Sequence, residues 1–233
     1  MDSTSDPARP SARAWTRARR EEFISAAVGY LENLPPDGED PEPLSIRLVA
    51  SLLGKSPSAP LFHFPDRRTL LAAVAAEGFT RLAAMLRPLA QRCEGADPPL
   101  RRVAQGYVEW AAATPLLFVT MHERGLAAGI AAIDEGNEDY WRRFDANSMN
   151  AIAEKLTTAA GRRRRAFRDL YVAKAAAVQA FEDAARASGW PERDGRRRAR
   201  VALALASGLA WEGVGAGQAR LRAQLSDVLG DLG

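Results

Sequence analysis

Residues 44–71 constrain the fold of this chain more than any other stretch, because they have the pattern of two short helices joined by a tight turn. Ser45 can cap the first helix, and Gly54 suits the turn because it has no side chain to resist a left-handed backbone. Ser56 can cap the second helix, with Pro57 at its first position, where no N–H is needed. The apolar residues of the first helix recur with the spacing of one buried face: Ile46, Val49, Ala50 and Leu53. This arrangement is a helix-turn-helix, which lays its second helix in the DNA major groove.

The same residues resemble the DNA-binding head of the TetR-type transcriptional repressors. The resemblance covers about residues 16–90 and depends on a combination of positions, which is more specific than any one of them. The positions that carry it are Arg20, Phe23, Ile24, Ala26, Ala27, Leu31, Leu44, Ser45, Ile46, Arg47, Val49, Ala50, Gly54, Ser56, Ala59, Pro60, His63, Phe64 and Asp66 through Leu71. Across the rest of the chain the match is one of architecture and weak local pattern.

The helical periodicity and this resemblance together predict an all-α protein. The resemblance implies an N-terminal three-helix head that carries the helix-turn-helix and a C-terminal helical bundle for ligand binding and dimerisation. We place a basic, disordered arm at residues 1–15, the head at 16–66, a linking helix at 66–92 and the body at 96–233. The first helix is expected from about Thr16 to Leu34. Helices of the body are predicted near 99–113, 115–130, 136–160, 162–188, 193–216 and 218–230.

Composition and charge fit this interpretation. The chain has 233 residues, 47% of them hydrophobic, so it can bury a sizeable core as one large domain or two small ones. The net charge of +3 is modest for a nucleic-acid binder, but five Arg and no acidic residue lie between Arg9 and Arg20. A basic arm of this kind suits phosphates or the minor groove, whereas for residues 1–12 a disordered tail is at least as well supported.

Cellular location is predicted from what the sequence contains. A single cysteine, Cys93, excludes an internal disulfide framework and fits a reducing cytoplasm. No apolar run follows the N-terminal basic residues, so we expect no secretory signal. The longest apolar stretch, residues 201–216, is shorter than the ~20 residues of a membrane span. We therefore expect a cytoplasmic protein with no membrane partner.

The predicted recognition helix runs from Pro57 to about His63, and residues near its start have first access to base edges. The resemblance implies DNA contacts from Ser45, Arg47, Lys55, Ser56, Pro57, Ser58, Ala59, Phe62, His63 and Arg67. Three positions depart from the family pattern, and one of them is Arg67, which stands where the family commonly has Lys. Lys55 stands where an apolar residue is more common, and Leu61 replaces a Tyr whose hydroxyl can bind a phosphate. A solvated turn residue is an equal interpretation of Lys55, as is a packed, hydrogen-bonded ring for His63.

The body contains large and polarizable side chains set among alanines, a mixture that can line an apolar ligand cavity. The candidate ligand-binding residues are Trp110, Phe118, Met121, His122, Tyr140, Trp141, Phe144, Met149 and Phe181. For any one of these aromatic residues, ordinary helix-bundle core is the alternative. The expected effector is an unidentified, largely apolar small molecule.

Two late helices, about 163–188 and 196–215, are rich in small residues that allow close helix packing. These small residues include Ala202, Ala206, Gly208 and Gly213. By resemblance to the family, the two helices pair with those of a second copy, and a homodimer reads a pseudo-palindromic operator in double-stranded DNA. The alternative is that they close the core of a single chain.

The sequence favours neither an enzyme nor a metal or cofactor site. The two histidines, His63 and His122, are 59 positions apart, which gives no zinc-binding spacing. No phosphate-binding glycine loop and no nucleophile motif is found. The four-arginine run at residues 162–165 is best interpreted as the solvated start of a helix, with nucleic-acid contact as a minor alternative.

The predicted function is therefore a ligand-responsive DNA-binding transcriptional regulator, most simply a repressor. The rival interpretation is a helical ligand-binding or interaction protein whose head no longer reads DNA. Leu61 and the few long polar side chains of the recognition helix support that rival.

Overall fold

The computed structural model describes residues 12–34, 43–91, 97–127, 129 and 158–216, and within these ranges the regular structure is entirely helical. This confirms the all-α prediction. The α-helices are α1 (Ala12–Asn33), α2 (Ile46–Leu52), α3 (Arg67–Gln91), α4 (Pro99–Ala113), α5 (Pro115–Met121), α6 (Ala159–Ala187) and α7 (Glu192–Ala216), with a 3₁₀ helix at Ala59–Phe62.

Helix α2 and the turn after it form as the sequence predicts. The Ser45 hydroxyl accepts a hydrogen bond from the backbone N–H of Leu48 at 3.1 Å, which caps α2. Gly54 has a φ of +60°, in the left-handed region where an L side chain is strained. The apolar residues Val49 and Ala50 of α2 are buried in the core.

The predicted recognition helix differs from expectation. In place of an α-helix from Pro57 to His63, the structure has a turn followed by the four-residue 3₁₀ helix Ala59–Phe62. Pro60 explains the difference, because it donates no hydrogen bond to the turn before it and disfavours α conformation at Ala59. The N–H of Leu61 instead bonds the carbonyl of Ser58 at 3.1 Å, the three-residue spacing of a 3₁₀ turn.

Helix α3 is the central element, with most of its length buried against α6, α4 and α5. The carboxylate of Asp66 begins it by accepting bonds from the backbone N–H and the hydroxyl of Thr69, each at 2.7 Å. Its bounds agree with the linking helix predicted at 66–92. By length and composition α3 could span a membrane, and 72% of its apolar window is buried inside the protein.

Several helix boundaries differ from the predicted ones. Helix α1 begins at Ala12, inside the predicted arm of residues 1–15. The helix predicted at 115–130 is interrupted at His122 and resumes over residues 124–127. Helix α6 begins earlier than predicted because the hydroxyl of Thr158 caps it, accepting from the N–H of Gly161 at 3.0 Å. The helices predicted at 136–160 and 218–230 lie outside the described residues, apart from the first residues of α6.

The proposed pairing surface of α7 divides between the interior and the exterior of the chain. Ala202 and Ala206 are fully buried within the chain, against α4 and α6. For these two residues the alternative interpretation, closure of the chain's own core, is correct. Gly208 is exposed, and nothing lies within 4 Å of the place where its Cβ would stand. Gly213 is half-buried.

Candidate nucleic-acid interface and aromatic cluster

The predicted DNA-contacting residues lie in one continuous stretch, residues 45–67, which we call the 45–67 segment. The exposed members are Arg47, Ser56, Pro57, Ser58, Phe62 and Arg67, and the half-buried members are Ser45, Lys55, Ala59 and His63. Between Ser56 and Ser58 the hydroxyl oxygens are 3.3 Å apart. The segment therefore offers short hydroxyl groups flanked by the longer cations Arg47 and Lys55.

Arg67 is held by two other parts of the chain. Its Nε donates to the carbonyl oxygen of Leu44 at 2.8 Å, and its Nη1 lies 3.5 Å from Glu123 Oε1. The next residue, Arg68, donates from Nε and Nη2 to the carbonyl oxygen of Gly125, at 3.1 and 2.6 Å. The start of α3 is thereby held to residues 123–125, just after the end of α5. A phosphate would have to share Arg67 with these existing partners.

His63 is a packed ring. Its ring centroid lies 5.7 Å from that of Phe23, 5.3 Å from that of Phe62 and 6.2 Å from that of Phe64. Burial lowers its pKa below the ordinary 6.5, and the nearby cations Arg20, Arg162 and Arg19 lower it further. The ring is therefore neutral at pH 7, in agreement with the packed interpretation.

The arginine run at residues 162–165 is not merely the solvated start of a helix, because its first members contact the 45–67 segment. The guanidinium of Arg162 lies over the ring of Phe62, 5.4 Å from its centroid. Arg163 pairs with the carboxylate of Asp66 across 97 positions of sequence. Nothing in the local pattern could have revealed these contacts, since only the packing of α6 along α3 brings them together.

The charge state of Asp66 reflects these contacts. Partial burial would raise its pKa, but hydrogen bonds from Thr69 and from Arg163 outweigh burial and lower the pKa below 3.8. A second ion pair joins α1 to α6, where Arg20 Nη2 lies 3.4 Å from Asp169 Oδ2. The N-terminal helices are thus connected to the body by ion pairs with two carboxylates.

Three of the predicted ligand-binding residues belong to one aromatic cluster. We define this cluster as Phe79, Tyr107, Phe118, His122, Phe181 and Trp211. The ring of Phe118 lies 4.4 Å from His122, 6.1 Å from Tyr107 and 5.2 Å from Trp211, centroid to centroid. Phe181 meets Tyr107 at 6.0 Å, and Phe79 meets His122 at 5.5 Å. The other three members, Phe79, Tyr107 and Trp211, were not among the predicted ligand-binding residues. Phe79 and Trp211 come from α3 and α7, far from α5 in sequence.

A short polar chain runs through this cluster. His122 Nδ1 lies 2.9 Å from the carbonyl oxygen of Phe118, so Nδ1 carries the proton that it donates. Its Nε2 can then accept from the hydroxyl of Tyr107 at 3.4 Å, and that oxygen accepts from Ser207 at 3.5 Å. Burial lowers the pKa of His122, the bond to Phe118 opposes this, and Lys174 lowers it further. Burial likewise raises the pKa of Tyr107.

The other predicted ligand-binding residues have different surroundings. Met121 is buried and packs against α3, where a Cβ placed on Gly78 would stand 2.5 Å from its sulfur. Trp110 is partly buried against the core. The remaining candidates, Tyr140, Trp141, Phe144 and Met149, lie outside the described residues.

Two open concavities lie away from the aromatic cluster. One, of about 360 Å³, lies between α3 and α6 and is bordered by Thr80, Ala83, Arg87, Asp169 and Val172, among others. The other, of about 960 Å³, runs along the start of α7, with Arg193, Arg196, Arg197 and Arg200 on its walls. In the described part of the chain, no three His, Cys, Asp or Glu residues are grouped so that they could hold a metal ion.

Comparison with known proteins extends the account of the fold. No family model matches the chain, and no curated protein is significantly similar to it. Among solved structures, the chain is similar to a protein of unknown function from Rhodococcus sp. RHA1, with 23% sequence identity and a TM-score of 0.57. The similarity covers 98% of this chain and 97% of that one. It therefore concerns the architecture of the whole chain.

Proposed function

We propose that this chain is a ligand-responsive, DNA-binding transcriptional regulator that acts in the cytoplasm as a homodimer, most simply as a repressor. The observation that carries the proposal is the geometry of the 45–67 segment. A Ser45-capped helix, a left-handed turn at Gly54 and an exposed polar stretch lead into a long helix capped by Asp66. These are the parts that a helix-turn-helix needs to present a short element to a DNA groove.

Within that segment, direct base contact falls to Lys55, Ser56 and Ser58, with Arg47 on the backbone. Short hydroxyls read base edges at close range, whereas Arg and Lys reach phosphates and guanine. The 3₁₀ helix is shorter than an ordinary recognition helix, so we expect few base contacts and a large share of affinity from phosphates. Such binding weakens steeply as salt rises.

A dimer is supported by exposed stripes on the last two helices. On α7 the exposed residues Val201, Ala204, Leu205 and Gly208 recur at intervals of three and four, which places them on one helix face. On α6, Tyr171 and Val172 are exposed apolar residues. Exposed apolar residues grouped in this way are typical of an interface, and a two-fold dimer would bring two 45–67 segments to one palindromic site.

The aromatic cluster is our proposed effector site. It combines large apolar surfaces with the polar chain from Ser207 through Tyr107 to His122. Because Phe79, Tyr107, Phe118 and Phe181 are buried, a largely apolar molecule would have to displace packed rings to enter. Close after His122 in sequence come Glu123, whose carboxylate pairs with Arg67, and Gly125, whose carbonyl oxygen accepts from Arg68. A ligand that shifts the turn after α5 would move the start of α3, and this gives binding a path to the DNA-contacting segment.

Variants of the 45–67 segment test the proposal. We expect Arg47→Ala and Lys55→Ala each to weaken binding to duplexes recovered by selection from random DNA. Loss of one hydrogen bond to a charged group corresponds to roughly 10- to 150-fold in affinity. Arg197→Ala, an exposed arginine on α7, is the matched control and should bind as the unchanged protein does. Full affinity in both segment variants would refute the assignment.

One observation favours a second function, a protein-interaction surface in place of DNA binding. The apolar side chains of Leu52, Leu61 and Phe62 are exposed by 44%, 44% and 60%. Leu61 also lacks the hydroxyl with which a Tyr at this position could bind a phosphate. A surface that binds only protein would have no measurable affinity for DNA at any salt concentration. Measuring the affinity for duplex DNA as salt is raised therefore separates the two functions.

A further inference from the structure

The arginine run at residues 162–165 is fixed beside the proposed DNA-binding surface, although it belongs to the body of the protein. Arg163 is anchored by Asp66, the residue that begins α3. Arg162 is positioned by the ring of Phe62, at the end of the 3₁₀ helix. The first turn of α6 therefore lies next to the C-terminal end of the 45–67 segment.

The arginines at the start of α6 differ in whether a carboxylate pairs with them. Arg165 and Arg20 share one carboxylate, that of Asp169, at 3.7 and 3.4 Å. The carboxylate of Asp66 pairs with Arg163. Arg164 is exposed, and no carboxylate of the described residues lies within ion-pair distance of it.

The position of Arg162 beside the 45–67 segment suits a phosphate contact. Its guanidinium carbon lies 5.4 Å from the centroid of Phe62, while the side chain is half-buried and its Nε is buried. Phe62 is 60% exposed, so this contact lies at the edge of the protein surface. Because Nε is buried, a phosphate would accept its two hydrogen bonds from the terminal nitrogens Nη1 and Nη2.

We propose that Arg162 and Arg164 bind the DNA backbone beside the 45–67 segment, so that the body of the protein adds phosphate contacts of its own. This inference depends on the proposed DNA-binding function. Because these contacts go to phosphates, they strengthen binding to all duplexes alike and carry no base preference. They also connect α6 directly to DNA, in addition to its ion pair with Asp66.

The test is the salt dependence of binding by the full chain with the double change Arg162→Gln and Arg164→Gln. Each lost phosphate contact lowers the slope of log affinity against log salt by about 0.9, so we expect a decrease of about 1.8. Between 50 and 200 mM salt the variant would then lose about 12-fold less affinity than the unchanged protein. The duplex sequence recovered by selection should be the same for both proteins.

Two further proteins make the result decisive. The pair Arg193→Gln and Arg197→Gln on α7 removes the same charge from exposed positions elsewhere, and its slope should stay near that of the unchanged protein. Arg164→Gln alone, at an exposed site, should give about half of the decrease. An unchanged slope in the double variant, from a parent that binds DNA, would overturn this inference and leave the proposed function standing. A parent that binds no DNA would overturn both.

Discussion

Asp66 joins three features of the structure, so its replacement gives the most informative stability prediction. One carboxylate oxygen accepts from the backbone N–H and the hydroxyl of Thr69, both at 2.7 Å, and the other binds Arg163. Thr69 is completely buried, so its hydroxyl has no access to water. Asp66→Ala would remove the helix cap, leave that hydroxyl without this acceptor and break the ion pair.

The size of the effect follows from these three losses. A lost N-cap destabilises by about 0.5–2 kcal/mol. A buried donor left unsatisfied adds about 1–3 kcal/mol, and a surface ion pair adds about 0–1 kcal/mol. Since the losses overlap, we expect Asp66→Ala to lower the free energy of unfolding by about 2–4 kcal/mol. Asp66→Asn keeps the accepting oxygen and an equally good cap, so about 1 kcal/mol or less is expected.

Urea denaturation followed by circular dichroism measures these differences. Asp183→Ala is the matched control, since Asp183 pairs with Arg186 at 2.8 Å and accepts from Gln179 within α6 but caps no helix. Its expected loss is below about 1 kcal/mol. Adding Thr69→Val to Asp66→Ala removes the unsatisfied hydroxyl and should recover part of the loss. The reasoning is refuted if Ala and Asn at position 66 destabilise equally, because the charge and not the cap would then dominate.

Three further predictions concern the turn, the histidines and the dimer. Gly54→Ala should lower the free energy of unfolding by about 1–2 kcal/mol because φ at this position is +60°, and Gly54→Asn should lower it by less. Gly29→Ala, in α1 with open space around it, is the control and should be neutral or stabilising. Equal urea midpoints for the two Gly54 variants and the parent would contradict this. The pKa values of His63 and His122 both lie below 6.5 in the folded chain, so the unfolded chain binds protons first as the pH falls. The free energy of unfolding should therefore be highest above about pH 6.5 and decline below it, and His63→Gln should reduce that decline. A midpoint in urea that does not change between pH 7.5 and 5.5 would count against the burial of both rings. Gly208→Trp should leave the fold of one chain intact, because nothing lies within 4 Å of the added Cβ. In analytical ultracentrifugation it should shift the protein from dimer to monomer. A dimer that persists with unchanged affinity would exclude this face of α7 as the interface.

Local signals in the sequence predicted much of the N-terminal part. The Ser45 cap, the Gly54 turn and the start of α3 at Asp66 each depend on residues within four positions of one another. Interactions between residues so close in sequence can be predicted from local patterns, and all three features form as expected. The 3₁₀ helix was predictable as well, since Pro60 stands in the middle of the expected recognition helix and disfavours it.

Long-range packing set the limit of prediction. The contacts of Arg162 with Phe62 and of Arg163 with Asp66 join residues about a hundred positions apart, and nothing near either partner indicates them. The small residues of α7 posed a different difficulty. Ala202 and Gly208 look alike as interface residues in the sequence, but one is buried in the chain and the other is exposed.

The central claim, that a dimer of this chain reads DNA, is tested most directly by selecting bound sequences from random duplex DNA at near-physiological salt. The purified protein is first shown to be folded and dimeric, and the recovered duplexes are examined for an inverted repeat. Our account predicts enrichment of a pseudo-palindrome whose two half-sites are separated by about one helical turn, or a multiple of it. Failure of a folded dimer to enrich any sequence would contradict the account and favour the protein-interaction function.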